Sequence, residues 1–126
     1  MSRQNLILGK SGEEAAAGFL KEKGYKILKK NYKTKLGEID IIALDKDTLC
    51  FVEVKARNSL RFGIPKEAVS GFKQRQICKA ALSYLKENNN FDKKARFDVV
   101  SVTYFEACPK FDLIQNAFDL GGGFIY

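Results

Sequence analysis

Two neighbouring apolar stretches of the chain carry charged groups where a buried strand has no use for them. Gly37-Glu38-Ile39-Asp40-Ile41-Ile42 sets two carboxylates among isoleucines, and Phe51-Val52-Glu53-Val54-Lys55 repeats the anomaly with an acid and a base among valines. In an extended chain alternate side chains share a face, so Glu38 goes with Asp40 and Glu53 with Lys55. Burying such charges without partners costs on the order of several kcal/mol, so their presence needs a reason. One reason is a Glu53–Lys55 pair at the surface of a half-exposed strand. The other is a shared site. If the two stretches form a hairpin that sets Asp40 beside Glu53, their oxygens converge and call for a cation between them. Hard oxygen ligands, with no imidazole or thiolate among them, select Mg²⁺ or Mn²⁺. Lys55 then aims its ammonium at the same place. Such a group is equipped to cleave a phosphodiester: the ion polarises the phosphate and acidifies water, and the lysine orients the nucleophile or stabilises developing charge.

Composition narrows the chemistry in the same direction. The 126 residues include no histidine, which excludes Ser-His-Asp and Cys-His catalysis within the chain and the histidine pair of a zinc protease. Lys and Arg number 22 against 15 Asp and Glu, a net charge of +7, and a protein this basic usually has a polyanionic partner, nucleic acid first. The charge is concentrated. Lys21 to Lys35 holds seven lysines and one acid, Lys55 to Lys79 holds seven basic residues and one acid, and the remainder is mildly acidic. With Tyr25, Tyr32 and Phe72 among them, these runs predict a basic face. Lys30, Lys33, Lys35, Arg57, Arg61 and Arg75 are its candidate phosphate contacts, which position a backbone without reading bases. Cys50, Cys78 and Cys108 form no CxxC pair and read as buried hydrophobes in a reducing cytoplasm. No apolar stretch reaches bilayer length and no signal-peptide core is present, so the expected location is cytoplasmic, away from any membrane.

The elements that must position these residues follow from periodicity. Gly12 to about Lys23 reads as a helix, with Ser11 as N-cap, Glu13 and Glu14 in the first turn where the dipole favours acids, and Gly24 as the stop. Tyr25 to Tyr32, Gly37 to Leu44 and Thr48 to Arg57 read as strands, the last two joined by Asp45-Lys46-Asp47 into an antiparallel hairpin. Ile77, Ala80, Ala81, Tyr84 and Leu85 share one face of a helix from about Ser70 to Lys86, ended by Asn88-Asn89-Asn90. Lys73, four residues before Ile77, belongs to that face. Phe97 to Phe105 and Asp112 to Phe118 complete a mixed sheet, with the helices on opposite faces or both on one. One domain over residues 1–120 and a flexible tail over 121–126 are expected.

Several motifs occur in a recognisable order: Gly9-x-x-Gly12-Glu13-x-x-Ala16, Gly24-Tyr25, Asn31, Gly37-Glu38-Ile39-Asp40, Phe51-Val52-Glu53-Val54-Lys55-x-Arg57, Phe62-Gly63, Pro65, Lys73 and Asn116-Ala117-Phe118. Over Gly9 to Phe118 this pattern resembles the YraN-like family of predicted endonucleases, itself similar to the PD-(D/E)XK nuclease superfamily and its Holliday-junction resolvases. The resemblance implies a restriction-endonuclease-like αβββαβ core, a mixed central sheet flanked by helices. It further implies Asp40 and Glu53 as metal-binding acids, Lys55 as the signature lysine and Glu13 as a catalytic and metal-holding acid from the first helix. Lys73 and Gln76 match polar positions on the second helix. By alternation Glu38 shares Asp40's face one pleat away, as a supporting acid behind Asp40 or a further direct ligand. Ile39 occupies the place of the superfamily's proline, a residue with no ligand role.

The leading expectation is a Mg²⁺- or Mn²⁺-dependent endonuclease acting on DNA, with branched or structured DNA in repair or recombination as its substrate and a C2 homodimer if two strands are cut symmetrically. The alternative is a nuclease-like module that binds nucleic acid without cutting. A third reading is an interaction protein whose acids are salt-bridged to Lys55 and Lys73.

Overall fold

The computed structural model describes residues 3–57, 71–90, 92–105 and 108–118, with side chains described from residue 12 in the first helix, to 56 in the third strand and to 104 in the fourth. Arg61 and the tail at 121–126 lie outside the described residues. The order is α1 (Arg3–Glu22), β1 (Lys26–Lys33), β2 (Glu38–Asp45), β3 (Thr48–Arg57), α2 (Gly71–Glu87), β4 (Lys94–Phe105) and β5 (Cys108–Phe118). The first six elements are the αβββαβ core, and β5 is added at its edge.

The strands lie side by side in sequence order, antiparallel except for β3 against β4, whose connection contains α2. Central β3 is apolar on both faces because both are covered. Leu49 and Phe51 join Ile77, Ala80, Ala81, Tyr84 and Leu85 of α2, together with Ile42, Phe97 and Val99. Cys50 and Val52 join Ala16, Ala17 and Leu20 of α1, together with Ile41, Val100 and Val102. The two helices therefore pack on opposite faces, the first of the two arrangements the pattern allowed.

Both helices end as their residues dictate. Gly24 takes φ 97°, and Tyr25 N–H donates to Leu20 O at 2.9 Å while Gly24 N–H donates to Lys21 O at 3.0 Å, a Schellman cap with glycine at its left-handed position. Asn89 does the same for α2 at φ 54°, with Asn90 N–H on Leu85 O at 2.9 Å.

Three boundaries differ from the sequence expectation. Helix α1 begins at Arg3 rather than at Gly12, so Ser11 is no cap and Glu13 lies well inside the helix, away from the dipole. Gly12 mimics a helix boundary but serves packing, since a Cβ there would sit 2.8 Å from the Ala56 Cβ of β3. Strand β4 starts at Lys94 because β3 offers a parallel ladder as far as Thr48↔Lys94. Strand β5 starts at Cys108, and its Pro109 is tolerated because among the described residues β5 has a partner on one side only. Cys50 and Cys78 are buried, but Cys108, at the start of that edge strand, is exposed.

Candidate active site

The β2–β3 ladder runs regularly from Asp45↔Thr48 to Ile41↔Val52. The next step would pair Asp40 with Glu53, and there the Asp40 side chain takes over: its Oδ2 accepts the Val54 N–H at 2.8 Å. Alternation in β2 breaks at the same residue, because Ile39 packs with the α2 cluster and Ile41 with the α1 cluster. Across the ladder, between the pairs Lys30↔Ile41 and Tyr32↔Ile39, Asn31 adopts φ 55°. Strands β1 and β2 are thus distorted together where Asp40 turns toward Glu53.

Glu53 continues the face of Leu49 and Phe51 and so lies on the α2 side of the sheet. It is 5% exposed and Asp40 7% exposed. Lys73, in the first turns of α2, brings its Nζ to 3.5 Å from Glu53 Oε2. Burial pushes the Glu53 carboxyl well above the usual carboxylate range, and hydrogen bonding and repulsion from Asp40 add to the shift, while Lys73 and Lys55 oppose it. Oε2 is buried and has no hydrogen-bond partner among the described residues. Lys55, two residues on, stands on the same face and is half-buried. Beyond it the parallel ladder sets Lys55 beside Ser101 and Arg57 beside Thr103. The buried Ser101 and Thr103 hydroxyls lack hydrogen-bond partners among the described residues. The α2 face of β3 and β4 therefore changes from apolar to polar toward the strands' carboxyl ends, where ligands bind in open α/β sheets.

Glu13 approaches from α1. Its carboxyl is raised, first by burial and then by Asp40 and Glu38, against the lowering effects of Lys33 and of a hydrogen bond from Asn31. Asn31 is thus both a backbone distortion and a side-chain partner of Glu13. Among the described residues no group of three or more acidic, histidine or cysteine side chains is arranged to enclose a metal. The immediate donors are Asp40 and Glu53. A pair of carboxylates with one buried oxygen left unbonded fits a small hard dication that keeps several waters and takes few protein ligands.

The family comparisons bear on this geometry. The model of the "Uncharacterised protein family UPF0102" matches residues 12–102. That span includes Glu13, Asp40, Glu53, Lys55 and Lys73. The chain belongs to the UPF0102 family. A UPF0102 protein of Geobacter metallireducens is 48% identical over 120 residues, covering 95% of this chain and 98% of its own. One from Desulfosudis oleivorans is 50% identical over 119 residues, covering 94% and 95% respectively.

In this UPF0102 chain the other expected site residues fall into three groups. Gln76 and Lys73 line a cleft with Lys33, Lys35 and Glu38. Glu38 is exposed and pairs in register with Lys33. Lys30 and Arg75 are exposed, on the edge strand β1 and on α2 respectively. Arg57 ends β3, and its side chain lies outside the described residues, as does all of Arg61.

Sequence reasoning missed a second buried polar group, one register step from Glu53 but on the opposite, α1 face of the sheet. Asp98 is fully buried, and both its oxygens are engaged: Arg96 Nε reaches Oδ1 at 3.0 Å and Oδ2 at 3.1 Å, Tyr25 OH donates to Oδ2 at 3.2 Å, and Asn116 N–H donates to Oδ1 at 2.9 Å. Arg96 Nη2 continues to the Tyr25 hydroxyl and to Asp45 Oδ2, each at 2.8 Å. Gln115 Nε2 reaches the Tyr25 hydroxyl at 2.9 Å. Phe97-Asp98-Val99-Val100 carried the same signal as the other two strands, an acid in an apolar run. Satisfaction separates the cases: Asp98 is fully hydrogen-bonded, as structural carboxylates are, whereas the buried Glu53 Oε2 makes no hydrogen bond among the described residues and has the Lys73 ammonium at 3.5 Å.

Proposed function

We propose that this UPF0102 chain is a metal-dependent endonuclease that hydrolyses phosphodiester bonds of DNA, with branched or structured DNA of repair or recombination as its substrate class. The observation that carries the reading is the buried Asp40–Glu53 pair with its unbonded Glu53 oxygen, set between two lysines. Asp40 and Glu53, with a backbone carbonyl of β3, would hold Mg²⁺ or Mn²⁺. When bound, the ion supplies Lewis acidity to a phosphate oxygen and lowers the pKa of water.

The chain's own groups divide the remaining work. Asp40 is fixed by the Val54 N–H at 2.8 Å, so its free lone pairs have a set direction. Burial and Asp40 both disfavour the charged form of Glu53, and a cation held between the two carboxyls would supply the positive charge that favours it. Lys73 steadies Glu53 from α2. Lys55 presents its ammonium on the same face, where it orients the attacking water and offsets charge developing on the phosphate. Glu13 adds a carboxyl beside Asp40 to receive a proton or a further cation. The exposed lysines of β1 and Arg75 hold the strand by its phosphates. In this reading the protein works in the cytoplasm, and no helix among its described residues is long and apolar enough to cross a membrane.

The test is a cleavage panel over single-stranded, duplex, flap and four-way-junction DNA with Mg²⁺ or Mn²⁺. The expected result is metal-dependent cutting by the wild type, its loss in Asp40→Ala and in Glu53→Ala, and DNA binding preserved in both. Metal-dependent cutting undiminished in both variants would remove the assignment.

A further inference from the structure

The turn between β1 and β2 and the first turns of α2 enclose a cleft of about 360 Å³, lined by Lys33, Thr34, Lys35, Leu36, Gly37, Glu38, Lys73 and Gln76. Its walls are held in place before any ligand arrives. Thr34 Oγ1 accepts the Leu36 and Gly37 N–H groups at 3.1 Å each and donates to Gly37 O at 3.0 Å, and the Thr34 N–H closes the turn on the same oxygen at 2.8 Å. Gly37 rests directly on α2: a Cβ there would lie 2.5 Å from the Gln76 carbonyl oxygen. Only glycine lets the turn come this close to the helix, and that approach sets the width of the cleft.

Three lysines face one glutamate in the lining, so the occupant the cleft favours is anionic. Lysines on the edge strand β1 have a simpler use, since charge on a free edge prevents strand addition by a second molecule. That use covers Lys26, Lys29, Lys30 and, at the strand's end, Lys33, which lines the cleft as well. It does not cover Lys35, which lies beyond the end of β1 and lines the cleft. Among the described residues neither Lys33 nor Lys35 forms an ion pair. Lys73 belongs to two places at once, lining the cleft and standing 3.5 Å from Glu53 Oε2. The cleft therefore adjoins the carboxylate pair through Lys73, and an anion in it is a neighbour of whatever reacts there. The volume lies within the range of small-ligand sites, which suits one nucleotide unit of a strand and not a whole duplex.

We infer that this cleft is a phosphate subsite that grips the cut DNA strand immediately beside the reacting phosphate, through Lys33 and Lys35, with Gly37 as the positioning residue that holds the turn against α2. The inference rests on reading the Asp40–Glu53 centre as a nuclease site, but its test needs no cleavage. Fluorescein-labelled single-stranded and duplex DNA are titrated with metal-free protein in EDTA over a range of salt concentrations, and binding is followed by anisotropy. Lys33→Gln/Lys35→Gln is expected to weaken binding about tenfold at low salt and to flatten the slope of log K against log salt by about 1.4, the release of counterions at two single-strand phosphates. Lys46→Gln/Lys94→Gln, with the same charge change at the other end of the sheet, is expected to alter neither. Equal affinities and slopes for the two double variants would overturn the subsite and leave the nuclease reading standing. Absence of salt-dependent binding by the wild type to either DNA would overturn both.

Discussion

Replacing Glu53 by glutamine should stabilise the metal-free protein at neutral pH, and by an amount that grows with pH. The substitution keeps the shape of the side chain and removes its titration. Glu53 is 5% exposed beside an equally buried Asp40, and its folded pKa is raised from an ordinary value of 4.5 by burial and by that neighbour. Below the ordinary value both folded and unfolded chains hold the proton, and the wild type suffers no penalty. Above it the unfolded chain releases the proton and the folded chain retains it, so wild-type stability falls by up to about 1.4 kcal/mol per pH unit until the raised folded value is passed. Lys73 and Lys55 reduce the shift, and the residual charged fraction of Glu53 that they stabilise is lost in the variant. A net gain of about 1–3 kcal/mol near pH 7.5, vanishing toward pH 4.5, is the resulting expectation. Urea unfolding of both proteins in EDTA from pH 4.5 to 8 reads it directly. A difference that stays constant across that range, or that favours the wild type more as pH rises, would refute the account of Glu53.

Asp98→Ala should cost about 3–5 kcal/mol in urea or thermal unfolding, because Arg96 then loses the buried carboxylate that both its Nε contacts use. Protein that folds at low temperature should nevertheless bind divalent metal as the wild type does, since Asp98 takes no part in that centre. Gly37→Ala should destabilise by about 1–3 kcal/mol through overpacking against the Gln76 carbonyl, whereas Gly18→Ala, which meets nothing within 4 Å, should be neutral or mildly stabilising. Gly24→Ala should cost about 1 kcal/mol, the strain of a left-handed Cβ at φ 97°, read as a lower thermal midpoint.

Where local rules decide the structure, the sequence was readable. Gly24 and Asn89 mark the ends of both helices because their φ values need residues without a large steric penalty. The core of β3 follows from the apolar run Leu49 to Val52, and its end from the alternation of Glu53, Lys55 and Arg57 with Val54 and Ala56. What failed was decided at a distance. Gly12 looked like a boundary because nothing local says that Ala56 lies against it. Lys94 and Pro109 looked like loop because a parallel neighbour and a free edge are tertiary facts. The same division holds for the site. Asp40, Glu53 and Lys55 stood out as charges on apolar strands, and the structure brings the first two together with Lys73. The role of Asn31 was invisible, since a left-handed residue inside a strand leaves no trace in periodicity. Asp98 showed the same anomaly as Glu53, and only its partners Tyr25, Arg96 and Asn116 distinguish a clamp from a site.

Uptake of a divalent cation by the Asp40–Glu53 pair is what the nuclease reading requires, and Mn²⁺ titration calorimetry in buffers of differing ionisation enthalpy measures it most directly. The expected result is saturable binding by the wild type near neutral pH, with a heat that varies with the buffer because a proton leaves Glu53 as the cation enters. Binding should be lost in Asp40→Asn and Glu53→Gln. Absence of saturable Mn²⁺ binding by the wild type, or binding unchanged in both variants, would contradict that reading.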